Sequence, residues 1–221
     1  YELEWEGVPS DVSADGLYSY ASLERCMPKH ERDDYVAFVA GQDLAYGGMD
    51  LCVFTVLGIH PDGHKSYISH EKWRAITAAD TRGRIVSLVR AANYPKILGL
   101  DAGDGGGMTM KSDLEGMVGT TEVKRFIPSG GTSFPNNAGN MRAYASLLLS
   151  ECVNDGKLHN LPQCFIDDMS SIRKRRAGEG KIFIEKKEDI RKRMGKSPDL
   201  HDSLVIANYY ADEWIRTQMP K

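Results

Sequence analysis

Three aspartates, Asp43, Asp101 and Asp202, stand where a carboxylate is hard to explain as a solvated surface group. The run YVAFVAGQD is almost continuously apolar or small until Asp43, and KILGLD behaves the same way until Asp101. Each acid therefore closes a strand that reads as buried on both faces. Glycines follow both, in GQDLAYGG and DAGDGGG, and let a backbone or phosphate come close where a side chain would obstruct it. Counting at helical spacing from Asp202 reaches Val205, Ile206 and Tyr209, an inward-facing stripe that carries no Lys or Arg. A buried carboxylate without a partner is costly or shifts its pKa. Three such acids together repel one another, and hard divalent cations such as Mg²⁺ or Mn²⁺ compensate by taking carboxylate and water oxygens. Two ions held roughly 3.5–4 Å apart activate an attacking water and stabilise a leaving oxygen, so phosphodiester hydrolysis would need no protein nucleophile.

Each acid alone has a plainer explanation. Asp43 or Asp101 could accept turn hydrogen bonds before glycine, and Asp202 could be satisfied by a neighbouring backbone group. Their joint occurrence is what points to metal. Asp104 and Asp113 are secondary ligand candidates in a loop-like stretch, Asp199 after Ser-Pro reads as the cap of the last helix, and His201 reads as an exposed helix residue.

The formal net charge of -3 hides a strong asymmetry. Residues 171–196 hold eleven Lys or Arg against four Asp or Glu, a local +7, which leaves -10 for the remainder. This block runs directly into the helix of Asp202, so the fold should set its cations beside the acids, where they neutralise phosphates without reading bases. Arg173, Lys174, Arg175, Arg176, Lys186, Lys187 and Lys196 are the candidate DNA contacts, with Lys186 or Lys187 also suited to charge at a scissile phosphate. Only Phe183 interrupts the cations as an aromatic, which favours a duplex backbone over a single-strand stacking platform.

The elements that must position these residues follow from pattern. YVAFVAGQD, DLCVFTVLGIH and KSYISHEKW predict an antiparallel three-strand meander. Thr77 to Asn93 predicts a helix with Ile76, Ile85, Val86, Leu88 and Val89 among charges, closed by Pro95. KILGLD and EVKRFIP read as strands, NAGNMRAYASLLLSECVN as a helix, CFIDDMSSIRKRR as a shorter helix, KIFIE as a strand and SPDLHDSLVIANYYADEW as the final helix. Strands first, then alternation, imply an α/β fold: a mixed sheet, meander plus parallel strands, flanked by helices. Residues 1–34 read as an irregular acidic arm or linker and 35–221 as one domain, large enough at 41% hydrophobic content to bury a core. The start at Tyr1 is expected of a fragment of something longer. No run is long and apolar enough for a membrane helix, and Cys26, Cys52, Cys152 and Cys164 lack zinc or disulfide spacing, so reduced thiols are expected.

GQDLAYGG, LGLDAGDGGG and EKKEDIRKRMGKSPDLHDSLVIA, in this order, resemble the C-terminal nuclease domain of tailed-bacteriophage large terminase subunits, over roughly residues 35–212. GKSPDLHDSL is the most specific piece: in that family SPD is followed three residues later by a metal-binding Asp at the start of a helix. The resemblance implies an RNase H-like fold, catalytic and metal-binding roles for Asp43, Asp101 and Asp202, two Mg²⁺ or Mn²⁺ ions, and cutting of concatemeric double-stranded viral DNA during packaging in the host cytoplasm. It also implies an ATPase domain in the same polypeptide and portal and small-terminase partners. No GxxxxGK loop followed by Ser or Thr occurs, so these residues should cut DNA without translocating it. His201 and Ser203 replace small apolar residues, and no further carboxylate is expected beside the third acid. Three rivals are a junction resolvase or transposase-type nuclease of the same fold, an actin-like nucleotide-binding domain with similar Asp and Gly turns, and a non-catalytic DNA-binding module in which the acids are structural.

Overall fold

The structure is a computed structural model that describes residues 15–27, 31–45, 51–103, 106–131 and 133–219. Ala37–Asp43 (β1), Cys52–Ile59 (β2) and Lys65–Trp73 (β3) form the antiparallel meander that the three runs predict. Ile97–Asp101 (β4) pairs with β1 in parallel, and Glu122–Phe126 (β5) pairs with β4 in parallel. The short Leu158–His159 (β6) lies beside β3, completing a six-stranded sheet in the order β5-β4-β1-β2-β3-β6. β1 and β2 are buried on both faces because helices cover both, which is why their sequences do not alternate.

Ala78–Ala91 (α2) and Gly106–Leu114 (α3) cover one face. There Ile85, Val86, Val89, Met110 and Leu114 pack on Phe54, Val56, Leu98 and Leu100. Met141–Asn154 (α4), Gln163–Ser170 (α5) and Asp199–Gln218 (α7) cover the other, where Leu149, Phe165, Leu204 and Val205 meet Val39, Val53 and Leu57. Thr77 caps α2 by accepting from Asp80 N, so Ile76 falls outside the helix and is 87% exposed rather than part of its apolar stripe. The DAGDGGG stretch leads into α3 at Gly106; Asp104, like Tyr46–Gly48 of the first glycine turn, lies outside the described residues.

Two sequence expectations are corrected. The helix read over CFIDDMSSIRKRR ends at Ser170, because its apolar face, Phe165, Ile166 and Met169, is spent by then. Lys174–Ala177 (β7) instead pairs with Lys181–Ile184 (β8) in an antiparallel hairpin, and Gly180 supplies the positive φ in its connection. The basic segment after it forms a helix, Lys187–Met194 (α6), which ends at Gly195 in the left-handed conformation. The arm drawn over residues 1–34 also does not follow the edge of the core. Tyr20–Glu24 (α1) is a short helix in it, Leu23 and Cys26 are fully buried, Leu17 N donates to Ile172 O, and Lys174 N donates to Asp15 O. Among the described residues no helix is long and apolar enough to cross a membrane, and all four cysteines are free thiols.

Candidate active site

β1 and β4 are parallel neighbours, with Gln42 in register with Leu100, so Asp43 and Asp101 leave the sheet side by side at the same strand ends. An open α/β sheet binds its ligands at that edge. α7 crosses the same strands and brings Asp202 in its first turn toward them. This approach requires small residues beneath the helix. A Cβ at Gly41 would lie 2.3 Å from Ser203 O and 2.4 Å from Ala207 N, and one at Gly99 would meet Tyr210 and Ile206. The glycine content that reads as turn chemistry after the acids therefore has a second use inside the strands.

The three acids line two adjoining pockets: one of about 570 Å³ takes in Asp43, Asp101 and Asp199, and a smaller one, which shares Asp101, Arg142 and Lys187 with it, takes in Asp202. Asp43 is 1% exposed and Asp202 7%. Lys187 Nζ lies 3.0 Å from Asp43 Oδ2, 3.0 Å from Asp202 Oδ2 and 4.0 Å from Asp199 Oδ1. Arg142, from α4, approaches Asp202 Oδ1 at 3.2 Å through Nη2 and donates through Nη1 to Glu185 O. On the far side of Asp202, Tyr18 OH is hydrogen-bonded to His201 Nε2 at 3.0 Å, and His201 Nδ1 lies 3.3 Å from Asp202 Oδ1.

These placements divide the charge unevenly. Burial pushes the Asp43 carboxyl well above its ordinary value; Lys187 opposes this, and Asp202, Asp101 and Asp199 add to it. Burial also raises Asp101, against a hydrogen bond from Gly103 N–H, the charge of Lys187 and a hydrogen bond shared with Asp43. Burial acts on Asp202 in the same direction, but Arg142, Lys187 and His201 outweigh it and hold that carboxyl well below the usual range. Burial disfavours the Lys187 ammonium, yet Asp43, Asp202 and Asp199 keep it charged.

The donor set fits hard divalent cations: every candidate ligand is a carboxylate oxygen, and the group carries a surplus of acid that burial makes costly. Among the described residues no three or more His, Cys, Asp or Glu side chains converge as they stand on a common metal position. The Lys187 ammonium takes the place between them, a cation of the protein's own standing where a metal charge would be welcome.

Not every expectation survives in detail. The reading that no cation serves Asp202 holds only along α7, since α4 and α6 deliver Arg142 and Lys187 from outside. Lys187 lies among the acids rather than on an outer DNA surface, while Lys186 is exposed on the cavity wall. Arg173, Arg175 and Arg176 are exposed on and beside the β7–β8 hairpin, Lys174 is half-buried there, and the Arg175 guanidinium lies over the Phe183 ring. Lys196 pairs with Asp168 at 2.8 Å. Asp113 pairs with Arg82 between α3 and α2 and takes no part in the cluster. His201 is fully buried, not exposed. Asp199 is not a cap: Pro198 holds that position without a side-chain bond, and Asp199 lies buried in the first turn, accepting from Leu51 N and reaching the cavity. Asp199 was legible, since a carboxylate three residues before Asp202 shares its helix face. Arg142 and Tyr18 carry no such signal, because only tertiary contact brings them here.

No protein-family model and no curated protein matches the chain. Solved structures do. A variant from the large terminase subunit of bacteriophage Sf6, with calcium, has a TM-score of 0.67 at 15% identity, covering 87% of this chain and 98% of that one. A variant with manganese and β-thujaplicinol gives 0.66 at 16% identity over the same shares, 87% and 98%. The large terminase nuclease of thermophilic phage G20c with bound magnesium gives 0.63 at 15% identity, over 90% of this chain and 98% of that one. At these identities the likeness is one of fold: this chain shares the fold of phage large terminase nuclease domains, here a six-stranded mixed sheet flanked by helices.

Proposed function

We propose that this chain is a divalent-metal-dependent endonuclease that cuts double-stranded DNA, and that its task is the cutting step of viral genome packaging. The observation that carries the reading is the convergence of Asp43, Asp101 and Asp202, from β1, β4 and α7, on two adjoining pockets that share Asp101 and the Lys187 ammonium. Asp43, Asp101 and Asp202 would hold Mg²⁺ or Mn²⁺, two ions in this reading, with Asp199 beside them. Such ions supply an activated water and a stabilised leaving oxygen. Arg142 orients Asp202 and keeps it ionised, so that it is ready as a ligand at neutral pH. The exposed cations of the hairpin and of Lys186 give a duplex a sequence-independent backbone surface. In this role the chain works in the host cytoplasm beside an ATPase domain of the same polypeptide, with portal and small terminase subunit as partners. The likeness in fold to terminase nuclease domains with bound magnesium, manganese or calcium supports the reading.

The direct test is cleavage of linear duplex and of a four-way junction in Mn²⁺, with EDTA as the blank. Linear duplex is expected to be cut at least as fast as the junction, and only with metal. A strong preference for the junction would move the assignment to a resolvase, and cutting in EDTA would end the metal reading.

Lys187 leads to a further prediction. Removing its ammonium in Lys187→Ala leaves Asp43, Asp199 and Asp202 facing one another, and stability in EDTA should fall by about 1–3 kcal/mol, moderated by partial exposure of the lysine. Divalent cations should then raise Tm by more than they do in the wild type, since the metal no longer competes with a resident charge. Melting curves in EDTA and in Mn²⁺ measure both quantities; an equal rise in the two proteins would show that the lysine and the metal do not compete.

A further inference from the structure

We infer that a second pocket, bounded by Lys72, Arg74, Arg191 and Lys196, is a phosphate-binding subsite for the nucleic-acid strand next to the scissile position. The inference rests on the duplex-nuclease reading and extends it to the path of the substrate. The pocket, of about 290 Å³, carries these four cations against two carboxylates, Asp168 and Asp199. It is not a separate depression: Arg191 and Asp199 line both it and the acid cavity, so the two form neighbouring stretches of one cleft.

Strand geometry explains how the cations arrive. Lys72 is in register with Val53, whose side chain belongs to the core beneath α7, and Trp73 turns to the opposite core under α2 and α3. Lys72 and Arg74 therefore project on the α7 side, at the strand end where the N-terminus of α7 stops covering the sheet. Both are exposed, and among the described residues neither is paired with a carboxylate. From the opposite wall α6 runs out of the acid cavity into this pocket. Lys187 and Arg191 share one face of that helix about 6 Å apart along its axis, close to the step between neighbouring phosphates of a strand. Gly195, with φ of 73°, then turns the chain so that Lys196 enters the pocket. Two cations flanking an inward Trp at a strand end, facing a helix that begins among the acids, make a track for a polyanion that leaves the cleavage position toward β3.

The measurement is binding of a labelled duplex by fluorescence anisotropy over a series of salt concentrations, in Ca²⁺ to suppress cutting. Wild type, Lys72→Ala/Arg74→Ala, Arg74→Lys and Arg175→Ala/Arg176→Ala are compared. Each lost phosphate contact flattens the slope of log K against log salt by about 0.9. The Lys72→Ala/Arg74→Ala protein should therefore lose about 1.8 from the slope and bind at least about tenfold more weakly at low salt, whereas Arg74→Lys keeps the slope. An unchanged slope and affinity in Lys72→Ala/Arg74→Ala, with the hairpin variant weakened, would overturn this subsite and leave the nuclease reading standing. Failure of the wild type to bind duplex at all would sink both.

Discussion

Asp43→Asn is expected to lose divalent-dependent cleavage by about 10³-fold or more, while melting no lower than the wild type in EDTA. The first half follows from the metal's task. Divalent cations at such a site supply several kcal/mol of stabilisation to a developing charge, and about 1.4 kcal/mol corresponds to each tenfold in rate. Replacing one carboxylate oxygen by an amide nitrogen removes an anionic ligand from the set. The second half follows from the surroundings of Asp43. Its carboxyl is 1% exposed, and burial together with three neighbouring acids pushes its pKa up despite Lys187. A carboxyl with a raised folded-state pKa gives stability that is complete below its unfolded value and is lost as pH rises through the folded value. Above that unfolded value and without metal, Asp43 thus weakens the fold, and a neutral amide of the same shape relieves that. The sign differs for Asp202, whose depressed pKa means its charge is stabilising and is lost only as pH falls, so Asp202→Asn should cost stability as well as activity. Asp43→Asn therefore separates chemistry from folding. Assay of plasmid cleavage in Mn²⁺ beside melting in EDTA checks it; cleavage within tenfold of wild type would remove Asp43 from the metal site.

Much of this site can be read from residue order, and the parts that cannot are instructive. Continuous runs of apolar or uncharged residues ending in Asp43 and Asp101 single out both acids because a doubly buried strand leaves its first charged side chain at its end. Asp202 follows from the stripe of Val205 and Ile206 on its helix, and both residues are buried as that stripe requires. His201 goes the other way. A histidine on a polar-looking turn reads as solvent-facing, but Leu17 and Tyr18 bring a segment from before β1 over it, and Tyr18 OH meets its Nε2. Nothing local to either residue encodes that contact. The Arg173–Arg176 run shows a related limit: helix propensity favours continuation, yet pairing with KIFI gives the backbone a hairpin once the apolar face of α5 is exhausted. Charge patterning correctly indicates a cationic region but does not say that one of its lysines turns inward. Lys187 and Lys186 are adjacent and alike in sequence, and only the first turn of α6 directs one to the acids and the other to the cavity wall.

The second large effect is expected at a residue with no chemistry of its own. Gly41→Ala adds one carbon to the middle of β1, at a distance of 2.3 Å from the Ser203 carbonyl oxygen and 2.4 Å from the Ala207 amide nitrogen of α7. Both obstacles are backbone, so no rotamer change relieves them; either α7 lifts from the sheet or β1 leaves its ladder with β2 and β4. Overpacking a core commonly costs about 1–3 kcal/mol, and the upper end or more is expected where the neighbour is main chain. Lifting α7 also carries Asp202 away from Asp43 and from Lys187, whose contacts at 3.0 Å depend on that close approach. The variant should lose about 3 kcal/mol or more of stability, and any folded fraction should cut DNA far more slowly than its population accounts for. Gly83→Ala provides the control, because a Cβ there, on the exposed side of α2, meets nothing within 4 Å and replaces a poor helix former. That protein should match or exceed the wild type by up to about 1 kcal/mol and keep full activity. Urea unfolding and single-turnover cleavage of the three proteins measure both effects. A Gly41→Ala protein as stable and active as Gly83→Ala would mean that α7 does not press on β1, and the assembly of the acid cluster would then need another explanation.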